Sequence, residues 1–174
     1  MDLREFHLML GDEDLLNKCL ERFSARGMIR KQAVDESEIG GHLEKAGRNL
    51  EFVKANLKLG YFDWCVCGCY YAVYHASLAL ILAKGRVSKN HDATLCVLMK
   101  EYYERGIDEE DLRLLNGFFL SYQDLLFYVQ SKRKRHEASY STKYKFDEKG
   151  VEKLRRNSIL FVNKAKDLLE VGNE

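Results

Sequence analysis

The segment from Trp64 to Ala83 constrains the fold more than any other, because its twenty residues carry no formal charge. Its length alone would suit a membrane-spanning helix. Gly68, His75, Ser77 and three tyrosines lie within it, however, and polar groups at the middle of a membrane span are costly. We therefore predict a core helix that is apolar on all sides, at the centre of a helical bundle, and no membrane insertion.

Amphipathic helices are predicted on both sides of this segment, where apolar residues recur in steps of three and four. The apolar positions form three stripes, which are Leu43, Ala46, Leu50, Val53 and Leu57; Leu112, Leu115, Phe119, Tyr122, Leu126 and Val129; and Val151, Leu154, Ser158, Phe161, Ala165 and Leu168. Asp35-x-x-Glu38 and Asp108-x-x-Asp111 are start signals for two of these helices. Shorter helices are predicted at about 12–25 and 90–104.

The chain contains no proline, which removes the strongest helix breaker. We therefore predict an all-α protein, an up-and-down helical bundle of four to five main helices with short additional helices. Residues 1–34 are predicted to form an N-terminal helical extension, and residues 35–174 the bundle itself. Residues 141–146 are the predicted irregular loop of the C-terminal half.

The five cysteines indicate a reducing environment rather than a disulfide framework, since their number is odd. The first residues, Met-Asp-Leu-Arg-Glu, do not resemble a signal peptide, so we expect a cytoplasmic protein. Cys65, Cys67 and Cys69 have the wrong spacing for a metal site, because on a helix Cys67 faces away from the other two. No phosphate-binding glycine loop is present in the sequence, and we predict neither a metal nor another cofactor.

The most basic part of the chain begins at residue 132 and reads Lys-Arg-Lys-Arg-His-Glu-Ala-Ser-Tyr. Residues 132–156 contain ten lysines and arginines against four acids, a local charge of +6, whereas the rest of the chain carries −5. Such segregation favours a surface that faces a polyanion. The predicted nucleic-acid-binding residues are Lys132, Arg133, Lys134, Arg135, Lys143 and Tyr144. The alternative is a solvated helix end, where cations favour the helix dipole.

Three stretches of the chain match motifs of one known domain family. The stretch Cys69-Tyr-Tyr-Ala-Val-Tyr-His-Ala76, preceded by Tyr61-Phe-Asp-Trp64, resembles the central helix of HEPN domains, and Lys89-Asn-His91 takes the place of their Thr-His. Arg135-His-Glu-Ala-Ser-Tyr140 resembles the Arg-x-x-Ala-Asp-Tyr end of the UPF0332-like branch of that family. The resemblance extends from about Asp35 to about Leu169.

This resemblance implies a helical bundle that forms a homodimer, and a small nucleotidyltransferase antitoxin as a partner. Many members are metal-independent ribonuclease toxins, in which an arginine stabilises the phosphate transition state and a histidine, separated from it by four to six residues, moves a proton. The candidate catalytic residues are therefore Arg135, His136 and Tyr140. Tyr140 stands where the motif has histidine, so the nuclease motif is degenerate. Arg86-Val-Ser-Lys-Asn-His91 also has the motif spacing, but it lies in another loop. A pattern this loose is expected to match a chain of this composition about once by chance.

Three functions follow as hypotheses. The first is a module of a nucleotidyltransferase/HEPN toxin–antitoxin type system that binds RNA, a nucleotide or its protein partner. The second is an active RNase toxin that uses Arg135 with His136 or Tyr140. The third is a structural helical adaptor whose basic patch binds an acidic protein. Toxicity on expression distinguishes the second from the others, and salt-dependent RNA binding distinguishes the first from the third.

Overall fold

Four long helices, accompanied by three shorter helices and a two-stranded sheet, make up the part of the chain that the structure describes. The computed structural model describes the backbone of residues 1–130 and 147–171, and the side chains of 1–120 and 147–170. The helices are α1 (Leu3–Gly11), α2 (Glu13–Ala25), α3 (Glu36–Lys58), α4 (Phe62–Ala83), α5 (His91–Tyr102), α6 (Glu109–Gln130) and α7 (Glu148–Val171). The strands are β1 (Ile29–Lys31) and β2 (Arg86–Ser88). Helix accounts for 79% of the structure, which confirms the predicted all-α class.

The helix starts follow the capping signals in the sequence. The Asp35 carboxylate accepts hydrogen bonds from the amides of Ser37 and Glu38 at 2.9 and 3.1 Å, and so caps α3. At the start of α6, the Asp111 amide donates to the Asp108 carboxylate at 3.0 Å and the Asp108 amide donates to Asp111 at 3.1 Å. These reciprocal bonds satisfy two amides that the helix itself leaves without partners. Both predicted starts are confirmed.

The long helices run alternately up and down. His42 of α3 meets His75 of α4, and Val53 lies against Gly68 further back along α4, so α3 and α4 are antiparallel. Lys164, near the end of α7, binds Asp108 at the start of α6, so these two helices are also antiparallel. The up-and-down arrangement expected from the sequence is therefore present.

Helix α4 lies at the centre of the bundle and contacts α3, α5, α6 and α7. It is long and apolar enough to cross a membrane, but thirteen of its 22 residues are buried against its neighbours. A methyl group on Gly68 would stand 2.5 Å from Val53 Cγ2, so α3 approaches α4 too closely there for any side chain. The prediction of a central core helix is confirmed.

The predicted apolar stripes face this core. Ala46 and Val53 of α3, Leu112 and Leu115 of α6, and Phe161 of α7 are buried. The outer members of the α6 stripe, Tyr122, Leu126 and Val129, lie outside the described side chains, and the predicted loop 141–146 lies outside the described residues.

The first 34 residues contribute to the same core. Phe6 and Met9 of α1, Leu16 and Cys19 of α2, and Ile29 of β1 belong to one buried cluster with residues of α4 to α7. Helix α1 and both strands were not predicted from the sequence. The two strands pair in antiparallel register, so the N-terminal segment is joined by backbone hydrogen bonds to the connection between α4 and α5.

Candidate functional site

The residues predicted to bind or cleave RNA lie in the basic run, outside the described residues. They are Lys132, Arg133, Lys134, Arg135, His136, Tyr140, Lys143 and Tyr144. On either side of this run, α6 is described to Gln130 and the chain again from Asp147, where α7 is about to begin. The residues quoted for the HEPN resemblance in α4 and at the start of α5 are described, and they meet in two clusters of histidine and aromatic side chains.

The first cluster is a pair of histidines where α3 crosses α4. Nδ1 of His42 lies 3.1 Å from Nδ1 of His75, a distance at which one imidazole donates its N–H to the other. Burial lowers the pKa of His75 to about 4, with further lowering by His42 and Lys45. Burial also lowers the pKa of His42, against the opposing effect of Glu38. The lowered pKa values favour neutral rings, and the N–H···N bond itself requires only that the accepting nitrogen carry no proton.

The second cluster surrounds His91, at the first position of α5. The His91 ring stacks on Phe119 with 4.5 Å between ring centroids, and it meets Tyr70 and Tyr74 edge-on. Nε2 of His91 lies 3.3 Å from the Tyr70 hydroxyl. Burial is the main cause that lowers the pKa of His91. The cap of α5 is Asn90, whose side chain accepts from the Ala93 amide, so His91 contributes packing and a tyrosine contact instead.

These two clusters are better suited to holding helices together than to catalysis. A general base works best with a pKa near the working pH, and the pKa of His75 is far below neutrality. The family's central-helix histidine is thus engaged with another histidine of the same chain. The sequence did not reveal this pairing, because residues 42 and 75 lie on different helices whose relative register no local pattern sets.

The cysteines behave as buried apolar residues. Cys65 and Cys69 are fully buried, and Cys67 points elsewhere and is half-buried, as the helical spacing predicted. Burial raises the pKa of the Cys67 thiol to about 11 and that of Cys69 to about 12, so neither forms a thiolate at neutral pH. Within the described part of the chain, no group of three or more histidine, cysteine or acidic side chains is arranged to hold a metal ion.

An exposed aromatic face covers the crossing of α3 and α4. A methyl group on Gly68 would meet the Phe52 ring at 3.1 Å, so Phe52 lies directly across from Gly68. Trp64 precedes Gly68 by four residues and Tyr71 follows it by three, which places both on the same side of α4. Phe52, Trp64 and Tyr71 are 42%, 49% and 39% exposed. Large apolar side chains gathered on one surface are typical of an interaction site.

The up-and-down bundle around an apolar helix, with the Tyr-x-x-Tyr-His pattern on that helix, is the architecture expected of a HEPN domain. The sequence profile of the HEPN domain matches residues 40–168, and the chain belongs to the HEPN family. It is also similar to a UPF0332 protein of Archaeoglobus fulgidus, with 28% identity over 134 residues that cover 77% of this chain and 95% of that relative. The resemblance inferred from the sequence is confirmed.

Proposed function

We propose that this protein is a cytoplasmic HEPN module that binds RNA or a nucleotide through its basic run, in a nucleotidyltransferase/HEPN toxin–antitoxin type system. The observation that carries the proposal is the net charge of +6 in residues 132–156 of a chain that belongs to the HEPN family. Arginine is the best phosphate ligand among these cations, because its planar fork donates two parallel hydrogen bonds. Tyr144 adds a ring on which a base can stack.

The nuclease motif is degenerate in this proposal. With four residues between them, Arg135 is followed by Tyr140 in place of histidine. An ordinary tyrosine has a pKa of about 10 and is a poor general base at neutral pH. Three of the described histidines, His42, His75 and His91, are poor replacements for it, since they hold helices together and have lowered pKa values. Binding without rapid cleavage is therefore the expected activity.

RNA binding by the wild type and by Arg135→Glu tests the proposal. Fluorescence anisotropy with a single-stranded RNA should show affinity that falls steeply between about 50 and about 200 mM salt, as counterion release requires. Arg135→Glu should weaken binding most, and Lys143→Glu less. Arg48→Glu, which reverses an exposed cation on α3, is the matched control and should leave the affinity nearly unchanged. Equal affinity and salt dependence for Arg135→Glu and the wild type would refute the assignment.

Cleavage is measured in the same samples by gel electrophoresis of the RNA. The wild type should cleave slowly or not at all, and Tyr140→His should increase the rate by restoring the family motif. Rapid cleavage by the wild type that is lost in Arg135→Ala would instead establish the active RNase toxin. Rapid cleavage that survives loss of Arg135 would contradict the site.

A homodimer is part of the proposal, because family members usually dimerise and the exposed aromatic face supplies an apolar surface. We propose that two copies meet through Phe52, Trp64 and Tyr71, in a two-fold interface that buries more than about 1,000 Å² in total. Light scattering should show a dimer for the wild type and a monomer for Trp64→Glu. Leu160→Glu, at a leucine of α7 that is 64% exposed, should remain dimeric. A monomeric wild type at micromolar concentration would exclude this assembly.

A further inference from the structure

The two short strands and the residues beside them form a second concentration of positive charge, apart in sequence from the basic run. Residues 26–31 read Arg-Gly-Met-Ile-Arg-Lys, and residues 84–89 read Lys-Gly-Arg-Val-Ser-Lys. Together these twelve residues, named here the basic ribbon, contain six cations and no acid. Their charge equals that of residues 132–156 in half as many residues.

Backbone pairing holds the two halves of the basic ribbon together. Ile29 pairs with Ser88 and Lys31 pairs with Arg86, and the Gln32 amide extends the ladder by donating to the Gly85 carbonyl at 3.0 Å. Lys31 and Arg86 are thus directly opposite each other across an antiparallel pair. Like charges in that position destabilise a sheet. Glu101 pairs with Arg86 and offsets part of this repulsion, whereas Lys31 forms no ion pair among the described residues, so a bound polyanion would still have Lys31 to neutralise.

Most cations of the basic ribbon are available to a ligand. Arg26, Arg30, Lys31 and Lys89 are exposed, and none of the four forms an ion pair within the part of the chain that the structure describes. The other two are engaged. Arg86 lies 3.4 Å from the Glu101 carboxylate, and Lys84 lies over the Tyr102 ring at 5.2 Å from its centroid.

Three acids follow the first half of the basic ribbon in the chain, and none of them forms an ion pair with its cations among the residues that the structure describes. Asp35 uses its carboxylate to cap α3. Glu38 accepts a hydrogen bond from the Gln32 side chain at 2.7 Å. Glu36 is exposed in the first turn of α3, where an acid is favoured by the amides of the helix start. These three acids keep their negative charge, and with Glu101, which pairs with Arg86, they number four against the six cations of the basic ribbon.

From this arrangement we infer that the basic ribbon binds the phosphate backbone of RNA, as a contact surface in addition to the basic run. The inference rests on the proposed function for the identity of the polyanion. A row of exposed lysines and arginines on paired strands suits a chain of phosphates, and binding of this kind is driven by counterion release. The basic ribbon contains no aromatic residue, so it has no ring on which a base can stack. Its contribution should therefore be independent of RNA sequence.

A membrane surface fits the basic ribbon less well than RNA. Membrane-binding surfaces combine cations with exposed apolar side chains that enter the lipid. The apolar residues of the ribbon face the protein instead: Ile29 is buried, and Met28 and Val87 are half-buried against the core. Charge without exposed apolar side chains favours the nucleic acid.

The test is a triple variant, Arg30→Glu with Lys31→Glu and Lys89→Glu, compared with Arg4→Glu, Lys18→Glu and Arg48→Glu together. Both change the net charge equally, and all six residues are exposed. RNA affinity is measured by anisotropy over a series of salt concentrations, with two single-stranded RNAs of different sequence. The ribbon variant should bind at least about tenfold more weakly, with a salt slope smaller by about 2, since three phosphate contacts contribute about 0.7 each. The control should keep the slope of the wild type.

Folding of the ribbon variant is checked by its Tm. Lys31→Glu places an acid opposite Arg86, so the variant should melt no lower than the wild type. The milder variant with glutamine at the same three positions should show about the same decrease in the salt slope of RNA binding. Because glutamine carries no charge, that decrease cannot come from repulsion between introduced glutamates and the RNA phosphates.

The outcomes separate this inference from the proposed function. If Arg135→Glu weakens binding and the ribbon variant matches its control, the basic ribbon is not a contact and the proposed function stands. If only the ribbon variant weakens binding, the ribbon is the RNA site and the basic run is not. If neither does, both are wrong. If the ribbon variant loses binding only to vesicles of phosphatidylserine in phosphatidylcholine and keeps its RNA affinity, the inference of RNA is overturned.

Discussion

A single hydroxyl group at the end of α5 is expected to carry a measurable share of the stability. The Tyr102 hydroxyl donates to the Leu80 carbonyl at 2.8 Å, and both residues are buried. Leu80 belongs to the last turn of α4, where carbonyls lack partners within the helix. The amides that follow do not serve it, because Lys84 donates to Ile81 and Gly85 donates to Leu82. Tyr102→Phe would therefore leave a buried carbonyl without its hydrogen bond.

The expected cost is about 2 kcal/mol, within the range of about 1–3 kcal/mol for a buried polar group that loses its partner. For a chain of this size each kcal/mol lowers Tm by about 2–4 °C, so Tm should fall by about 4–8 °C. Urea unfolding should give a lower midpoint with an unchanged m-value, because the folded state keeps its compactness.

The control is Tyr103→Phe at the next residue. Tyr103 is half-buried against the core, and its hydroxyl forms no hydrogen bond among the residues that the structure describes. Its loss should change the free energy of unfolding by less than about 0.5 kcal/mol. Equal effects of the two substitutions would show that Tyr102 acts through ring packing and would refute the reasoning.

Alkaline pH provides a second measurement on Tyr102. Burial raises the pKa of its hydroxyl, and Glu101 raises it further. The raised pKa means that its stabilising contribution is complete below the pKa of an unfolded tyrosine, near about 10, and is lost as the pH rises beyond that value. The free energy of unfolding of the wild type should therefore decline above about pH 10, and Tyr102→Phe should decline less steeply. Parallel curves would contradict the buried, protonated hydroxyl.

Three further predictions concern other contacts of the bundle. His75 has a pKa of about 4 in the folded protein, so its stabilising contribution is complete above about pH 6.5 and is lost as the pH falls toward 4. His75→Gln should flatten this decline in urea midpoints. Gly68→Val should cost about 1–3 kcal/mol by overpacking against Val53, and Gly117→Val on the open face of α6 much less, by thermal melting. Asp108→Ala removes the carboxylate that caps α6 and should cost about 0.5–2 kcal/mol.

Each of these has an outcome that would contradict it. If the urea midpoint fell equally steeply with decreasing pH in His75→Gln and in the wild type, the histidine pair would not couple folding to pH. If Gly68→Val and Gly117→Val had the same Tm, α3 would not approach α4 as closely as described. Full stability of Asp108→Ala would show that water replaces the cap.

The long helices were predictable because their signals are local. A stripe of apolar residues and a capping aspartate act within one or two turns, so the starts of α3 and α6 followed from the sequence alone. The two strands were not predictable in this way. Each has three residues, and Ile29 pairs with a serine 59 residues further along the chain. Such short segments carry too little alternation to be distinguished from a loop, and their pairing depends on the bundle around them.

The contacts around the family's histidines were beyond sequence reasoning for a related reason. The sequence placed His75 within the predicted core helix, and no local pattern pairs it with His42. Their meeting depends on the crossing of α3 and α4, which the close approach at Gly68 sets. Similarly, the His91 imidazole stacks on Phe119 of α6, a residue 28 positions further along the chain, while Asn90 caps α5.

Family membership and activity rest on different residues of this chain. The residues that carry the resemblance in α4, among them Cys69, Tyr70 and Ala72, are buried at the helix contacts, so they report on the fold. Function has to be argued from the site instead, because one fold hosts many activities. The basic run at Arg135 and Tyr140 is where the chemistry is proposed. We therefore expect Tyr140→His to change the rate of RNA cleavage and leave Tm unaltered, whereas a substitution at Tyr70 should lower Tm first. A fall in Tm in Tyr140→His would mean that the basic run also supports the fold.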